Sequence, residues 1–103
     1  MYKVEYLPSA LKDMSEIISY ITKELDNRTA AGKLSEKFIE TAGRIGDFPY
    51  SNPVYIPIKP LKNEYRKVVV ENYLMFYSVN EEEKTVTVSR VIYGKRNYDK
   101  TIE

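Results

Sequence analysis

The hydrophobic residues of the N-terminal half recur at helical spacing in two separate stretches. Residues 2–6 first alternate between apolar and polar positions, which predicts a short strand. Apolar residues then follow at intervals of three and four over residues 11–25 and again over residues 31–45, which predicts two amphipathic helices. Because only about four residues, 26–29, separate the two patterns, the helices are expected to pair as an antiparallel hairpin.

The ends of both predicted helices are marked by capping residues. Ser9 is the expected N-cap of the first helix and Thr29 of the second, because their hydroxyls can accept a backbone hydrogen bond in the first turn. Gly46 and Pro49 are expected to end the second helix, since glycine often follows a helix and proline cannot continue it. The pattern thus predicts both helix starts and one helix end.

The next part of the chain changes from a proline-rich segment to strands. Residues 49–63 are expected to form a loop with at most a short edge strand at residues 54–56. Residues 65–70 and 73–79 then predict a hairpin that turns at residues 71–72. The face of this hairpin expected to lie under the helices carries Arg66, Val68, Val70, Tyr73, Met75, Tyr77 and Val79.

The last predicted strand covers residues 85–93 and follows a turn of three glutamates. The residues expected to share one of its faces are Val86, Val88, Arg90 and Ile92. Arg90 is expected to form a structural ion pair there. The element order predicts one α+β domain over residues 1–103: an N-terminal strand, an antiparallel helix hairpin, and then an antiparallel β-meander with the helices packed on one face of the sheet.

The composition narrows the chemistry available to such a domain. The 103 residues include no cysteine and no histidine, which excludes disulfides, thiol chemistry and histidine-dependent triads. Without these two ligands the sequence predicts no metal site, and it predicts no cofactor. No apolar run approaches the roughly 18 residues of a membrane span, and residues 1–5 do not resemble a signal peptide. A cytoplasmic location with no membrane partner is expected.

The net charge is only +1, yet basic residues concentrate in two segments of the C-terminal half. The basic residues of these segments, set against Glu64 and Asp99 alone, are Lys59, Lys62, Arg66, Lys67, Arg90, Lys95, Arg96 and Lys100. If the segments adjoin in the fold, they form a local basic patch that attracts anions. Arg66 is as suited to a carboxylate partner as to a phosphate. Tyr93 and Tyr98 are suited to stacking on bases or to anchoring a protein partner.

Three segments follow the predicted helix hairpin in a characteristic order: residues 65–66, residues 73–77 and residues 90–96. With this element order the chain resembles the RelE/ParE superfamily of toxins from bacterial type II toxin–antitoxin modules of the plasmid-stabilisation type. The resemblance implies a growth inhibitor that a cognate antitoxin neutralises, with antitoxin segments docked in the grooves between the helices and the sheet. A homodimer and a toxin–antitoxin heterotetramer both fit this resemblance.

The RelE-like branch of the superfamily cleaves messenger RNA on the ribosome with lysines and arginines, which act as acid, base and charge stabilisers. Arg96 matches the arginine of that set, and Arg66 and Lys67 fall near its catalytic lysines. The resemblance therefore implies a catalytic role for these three residues in such an enzyme. The wider set implied to contact RNA or a protein target is Tyr93, Lys95, Arg96, Tyr98, Lys59 and Lys62.

The ParE-like branch poisons DNA gyrase by protein contact and needs no catalytic set. Its helices are typically longer, as the two predicted here are, and it tolerates an apolar residue at the position of Leu74, so both features favour this branch. Two matches to the RelE-like pattern also fail. Leu74 follows Tyr73 where the RelE-like branch has an arginine, and the chain is too short for the C-terminal helix that carries a stacking tyrosine. Tyr98 lies closer to Arg96 than that tyrosine would. The resemblance thus favours a non-enzymatic gyrase poison, with a metal-independent endoribonuclease acting on ribosome-bound mRNA as the alternative.

Overall fold

Four strands form one sheet, and two helices pack on one of its faces. The computed structural model describes residues 1–96 and residue 102, and no helix among them is long and apolar enough to cross a membrane. In chain order the elements are β1 (Lys3–Tyr6), α1 (Pro8–Lys23), α2 (Arg28–Asp47), β2 (Arg66–Val70), β3 (Tyr73–Asn80) and β4 (Thr85–Tyr93). The strand order is β1-β4-β3-β2, with β1 parallel to β4 and the other neighbours antiparallel. This architecture confirms the predicted α+β fold and places β1 beside β4.

Both helices begin at a different residue from the one predicted. α1 begins at Pro8, whose fixed φ and missing N–H suit the first turn of a helix. Ser9 therefore lies inside the helix, where its hydroxyl donates a 2.7 Å hydrogen bond to the carbonyl oxygen of Ser89. In α2 the N-cap is Asn27, whose side chain accepts a 3.0 Å backbone hydrogen bond in the first turn. The predictions of Ser9 and Thr29 as caps are wrong, because Pro8 and Asn27 start the helices earlier.

Gly46 lies inside the last turn of α2 and does not end the helix as predicted, because the helix continues to Asp47. A Cβ atom at Gly46 would stand 2.8 Å from Cγ2 of Val4 and 3.2 Å from the carbonyl oxygen of Tyr2. The amide of Tyr2 also donates a 2.9 Å hydrogen bond to the carbonyl oxygen of Gly46. The missing side chain thus lets the start of β1 pack directly on the end of α2.

β2 and β3 form the predicted hairpin around Glu71 and Asn72. Val68 pairs with Met75 in the antiparallel register, and Glu71 adopts a positive φ of 54° in the turn. The inner face of the hairpin packs against both helices, which confirms the predicted apolar face. The main core there comprises Ala10, Leu34, Phe38, Ile45, Val70, Met75, Tyr77, Val86, Val88 and Val91.

β4 contains a β-bulge at Ser89. Two successive residues of β3 pair with Arg90 and Val88, so Ser89 is an extra residue in β4. A bulge reverses the side-chain alternation beyond it, and Val88 accordingly packs in the main core while Ile92 packs on the opposite face of the sheet. The prediction that Val88 and Ile92 share a face with Arg90 is therefore wrong.

Arg90 forms the predicted structural ion pair, and its partner is Asp13 of α1. Nε of Arg90 lies 2.7 Å from Oδ2 of Asp13, and Nη2 lies 3.0 Å from Oδ1, so the contact is bidentate. Asp13 also accepts a 2.9 Å hydrogen bond from the amide of Val91. The carboxylate thus ties α1 to β4 beyond the point where the pairing with β1 ends at Val88.

The face of the sheet opposite the helices carries a second core. Its buried members are Tyr55, Tyr65, Leu74, Phe76, Ile92 and Ile102. The rings of Tyr55 and Phe76 meet edge to face with their centroids 5.3 Å apart. In place of the short edge strand predicted at residues 54–56, a single bridge joins Val54 to Arg66. The segment over residues 53–63, here called the proline loop, therefore helps to cover this face.

Candidate functional site

Arg66 lies at the start of β2, and its side chain is held by the segment that follows α2. Nη1 donates a 2.6 Å hydrogen bond to the carbonyl oxygen of Asn52, and the guanidinium carbon lies 5.0 Å from the centroid of the Tyr50 ring. Tyr50 in turn donates a hydrogen bond to Glu81 in the turn after β3. The guanidinium group is therefore directed toward the β3–β4 turn and is bound there by a carbonyl oxygen and an aromatic ring.

A cleft of about 630 Å³ opens beside Arg66. The charged residues in its lining are Arg66, Glu64, Glu81 and Glu82. Glu81 forms an ion pair with Lys84, and the remaining two carboxylates still outnumber the guanidinium group, which disfavours a phosphate ligand. The cleft is therefore poorly suited to holding the backbone of RNA at Arg66.

Four side chains converge on the β3–β4 turn and are here called the turn cluster: Tyr2, Tyr50, Glu81 and Lys84. Glu81 accepts hydrogen bonds from the Tyr2 hydroxyl at 2.7 Å, from the Tyr50 hydroxyl and from the Lys84 ammonium group. These donors, with Lys84 contributing most, lower the pKa of Glu81 to about 2. The hydrogen bond to Glu81 is also the main reason that the pKa of Tyr50 rises to about 12. The cluster links β1, the segment after α2 and the turn.

The turn cluster predicts a loss of stability in acid. Because folding lowers the pKa of Glu81 from 4.5 to about 2, the stabilisation is complete above about pH 4.5 and is lost as the pH falls toward about 2. We expect Glu81→Gln to melt below wild type near neutral pH and to match it near the acid limit. Thermal melts across this pH range check the prediction. Glu83→Gln removes a charge from the same turn outside the cluster, and the same pH-dependent loss in both variants would contradict the prediction.

Lys67 follows Arg66 in β2 and lies on the opposite face of the sheet, because successive residues of a strand alternate. Its Nζ atom lies 5.5 Å from the centroid of the Tyr55 ring, which belongs to the second core. Arg66 and Lys67 are therefore adjacent in sequence but do not face a common ligand.

The end of β4 forms an exposed rim, here called the β4 rim, which consists of Tyr93, Lys95 and Arg96. The amide of Gly94 donates a 2.8 Å hydrogen bond to the carbonyl oxygen of Asn72, which ties the rim to the β2–β3 turn. No carboxylate among the described residues forms an ion pair with either cation of the rim. Tyr98, which the sequence also predicts as a contact residue, lies outside the described residues.

The two arginines predicted to be catalytic, Arg66 and Arg96, are held at different positions along β3. Arg66 pairs with Tyr77, whereas the β4 rim is bonded to Asn72. The step from residue 72 to residue 77 corresponds to roughly 17 Å along an antiparallel strand. The guanidinium of Arg66 is directed toward Tyr50, away from the rim. The structure therefore brings Lys95 and Arg96 together and leaves Arg66 at a separate site.

The proline loop carries Lys59 and Lys62, the remaining predicted contact residues, and both are exposed. It also carries two exposed residues that the sequence analysis missed, since Ile56 is 86% and Ile58 is 84% exposed. A sequence signal exists for Ile56 alone, because Pro57 follows it and a residue before proline favours extended backbone.

A groove, here called the edge groove, runs between α2 and the outer edge of β2. Two recesses of about 250 Å³ each lie along it, and Arg44 lines both. Phe48 and Val69 are largely exposed beside it. Among residues 1–96, the outer edge of β2 has no neighbour except the single bridge from Val54. The groove thus combines apolar surface, a cation and an unpaired strand edge.

Solved structures share this architecture. The chromosomal ParDE TA system from P. aeruginosa contains a chain that matches with a TM-score of 0.69 at 14% identity, over 90% of this chain and 96% of that chain. The archaeal RelE–RelB complex from Pyrococcus horikoshii gives a TM-score of 0.60 at 16% identity, over 92% and 97%. The isolated E. coli RelE toxin gives 0.56 at 19% identity, over 94% and 88%. Identities this low establish a shared fold alone.

Sequence similarity identifies the family. No curated protein sequence matches the chain. The profile of one family does, and that family is described as the ParE toxin of the type II toxin–antitoxin system parDE. The match covers residues 4–98, which is nearly the whole chain, and it confirms the resemblance to the RelE/ParE superfamily. The chain belongs to the ParE toxin family of type II toxin–antitoxin systems.

Proposed function

We propose that this chain inhibits growth by binding and poisoning DNA gyrase and that a cognate antitoxin neutralises it. The observation that carries the proposal is the dispersal of the cations that RNA cleavage would need. Arg66 is bound to a carbonyl oxygen and a ring, Lys67 lies on the other face of the sheet, and Arg96 follows the far end of β4. Cleavage requires an acid, a base and charge stabilisers around one phosphate. Binding to a protein requires no such convergence.

The residue after Tyr73 supports the same proposal. Leu74 is buried in the second core, where it packs with Phe76 and Ile92. An aliphatic side chain in that position has no hydrogen bond to donate to a phosphate. The start of β3 therefore supplies apolar packing where an RNA-cleaving relative would supply a cation.

A cognate antitoxin is the second expected partner, and the edge groove is suited to receive it. The solved structure from Pyrococcus horikoshii that shares this fold is a RelE–RelB complex. An extended antitoxin segment can pair with the open edge of β2, place an apolar side chain beside Phe48 and offer a carboxylate to Arg44. The groove provides all three kinds of contact along one line.

The alternative function is a ribosome-dependent mRNA endoribonuclease, and the β4 rim is the observation that favours it. Lys95 and Arg96 are exposed beside Tyr93, and such cations and rings bind RNA phosphates and bases. In that enzyme Arg96 would act as acid or charge stabiliser, so Arg96→Ala would abolish toxicity while folding and antitoxin binding persist. Under the gyrase proposal the same change removes one surface charge and weakens toxicity only in part.

Induced expression with pulse-labelling of DNA and protein synthesis tests the proposal. We expect DNA synthesis to fall first, gyrase–DNA cleavage complexes to accumulate and cells to filament. Coexpression of the small protein encoded beside the toxin gene is expected to restore growth. If translation falls first and transcripts are cut in the ribosomal A site, the endoribonuclease replaces the gyrase poison. A chain that leaves growth untouched contradicts both functions.

A further inference from the structure

Two isoleucines at the tip of the proline loop stand almost fully in solvent. Ile56 is 86% exposed and Ile58 is 84% exposed. Isoleucine is among the residues most often buried in folded proteins. A single exposed isoleucine is ordinary, but these two lie two positions apart at the tip of one loop, so the tip carries an exposed apolar surface, here called the patch.

The patch projects from fixed ends. Tyr55, directly before it, is only 7% exposed and packs against Phe76 in the second core. The amide of Tyr55 donates a 2.7 Å hydrogen bond to the carbonyl oxygen of Tyr65. Leu61, on the other side of the tip, packs against the same core. The two ends of the loop are therefore anchored on the sheet, and the tip between them points into solvent.

Prolines restrict the conformations of the tip. Pro57 and Pro60 have a fixed φ, and a following proline disfavours helical backbone at Ile56 and Lys59. A segment that is already ordered loses little conformational entropy when it binds a partner. The tip is thus pre-organised for binding in the conformation that exposes its isoleucines.

The chemistry of the tip selects a protein as partner. RNA is recognised by cations on its phosphates and by aromatic rings that stack on its bases, and isoleucine provides neither contact. Isoleucine binds instead in an apolar recess of another protein. Lys59 at the tip and Lys67, which lies over the ring of Tyr55 at the base of the loop, add positive charge at both sides. A recess bordered by carboxylates is the complementary surface.

We propose that the tip of the proline loop, residues 56–59, is the surface through which this toxin docks on its target protein. Ile56 and Ile58 enter an apolar recess of the target, and Lys59 pairs with a carboxylate at the border of that recess. The inference rests on the proposed function in taking the target to be a protein, and it goes further by naming the toxin residues that meet the target.

The double variant Ile56→Ser/Ile58→Ser tests this surface. Both side chains are solvent-exposed, so the variant is expected to melt at the wild-type temperature. With purified gyrase and supercoiled plasmid as the probe, we expect its inhibitory concentration to rise by roughly a hundredfold, because the burial of two aliphatic side chains is lost. Toxicity on induction should fall in parallel. Gyrase inhibition and toxicity equal to wild type would overturn the proposal.

Ile39→Ser is the matched control. Ile39 is an isoleucine on α2 that is 69% exposed, on the helical side of the molecule. We expect this variant to inhibit gyrase and growth as the wild-type chain does. An equal loss in the control would overturn the proposal, because the effect would then follow from removing any exposed isoleucine.

Lys59→Gln tests the carboxylate border of the recess. We expect this variant to bind gyrase more weakly than wild type at low ionic strength and equally well at high ionic strength, where salt screens exposed charges. If the variant and the wild-type chain show the same salt dependence of binding, Lys59 does not pair with a carboxylate of the partner, and that part of the proposal is wrong.

Two results that assign a different binding partner to the tip would also overturn the proposal. If the double variant inhibits gyrase normally but no longer binds the antitoxin encoded beside it, the tip is an antitoxin site. If wild type is a dimer in sedimentation and the double variant is a monomer with full activity, the tip binds a second copy of the chain.

The failure of this inference is distinguishable from a failure of the proposed function. If the wild-type chain is toxic but does not affect gyrase, the proposed function fails on the wild-type measurement alone. In that case the growth of cells that express each variant tests the inference. Loss of toxicity in the double variant but not in Ile39→Ser supports docking of the tip on a different protein target, and retained toxicity in the double variant contradicts it.

Discussion

Replacing Asp13 with alanine is expected to destabilise the fold by about 2–4 kcal/mol, because the change removes the carboxylate that pairs with a largely buried arginine. The Arg90 and Asp13 side chains are only 20% and 12% exposed. Asp13 also accepts the hydrogen bond from the amide of Val91, so the substitution removes three contacts between α1 and β4 at once. Urea denaturation of both proteins measures the difference in the free energy of unfolding.

An exposed ion pair supplies the control for this prediction. The Lys3 and Glu5 side chains, 3.2 Å apart, are 72% and 51% exposed. Because water and salt screen such a pair, Glu5→Gln is expected to change the free energy of unfolding by no more than about 0.5 kcal/mol. Similar losses in the two variants would mean that the Asp13 contacts contribute no more to stability than a surface pair does.

Gly46→Ala is expected to destabilise the protein by about 1–3 kcal/mol, although alanine is the better helix former. The new methyl group would stand 2.8 Å from Val4 and 3.2 Å from the backbone oxygen of Tyr2, and the backbone cannot move aside without disturbing β1. Chemical denaturation measures the change. An increase in stability would show that β1 adjusts to the methyl group at no cost.

Gly43→Ala is the matched substitution in the same helix. A Cβ atom at Gly43 would meet nothing within 4 Å. We expect this variant to be more stable than wild type by about 0.5–1 kcal/mol, the usual gain from replacing glycine inside a helix. The change in the free energy of unfolding is thus expected to have opposite signs for the two variants. This difference distinguishes the steric contact of residue 46 with β1 from the effect of intrinsic helix propensity.

The sequence predicts elements whose signal is local. The alternation of apolar residues and the polar pair Glu71 and Asn72 suffice for the β2–β3 hairpin, and the last strand falls on Thr85–Tyr93 as predicted. The bulge at Ser89 could not be predicted, because it is defined by the register between β3 and β4 and not by composition. The position of β1 beside β4 likewise depends on a contact between the two ends of the chain.

The second core shows a different limit of sequence reasoning. A segment rich in proline predicts a loop, and the loop is there. However, Tyr55 and Tyr65 are buried on the sheet because their partners, such as Phe76, come from a strand face that the helices do not cover. Only the tertiary arrangement shows that the proline loop is anchored at both ends and that Ile56 and Ile58 remain outside.

The candidate site also has features that the sequence predicts and features that it does not predict. Sequence proximity suggests that Arg66 and Lys67 act together, but the alternation of a strand places them on opposite faces of the sheet. Lys95 and Arg96 lie together because both follow one strand, and the hydrogen bond from Gly94 to Asn72 anchors them. The distance between Arg66 and Arg96 depends on how β3 spans the sheet, which no local pattern specifies.

The central claim is that the toxin acts by contact with gyrase, and a DNA cleavage assay with purified components tests it most directly. The chain is mixed with gyrase, ATP and supercoiled plasmid, and the products are treated with detergent and protease. The account predicts linear DNA that accumulates with toxin concentration and disappears when the antitoxin is added. Unchanged supercoiling at every toxin concentration, together with cleavage of mRNA in a purified translation system, would contradict the account.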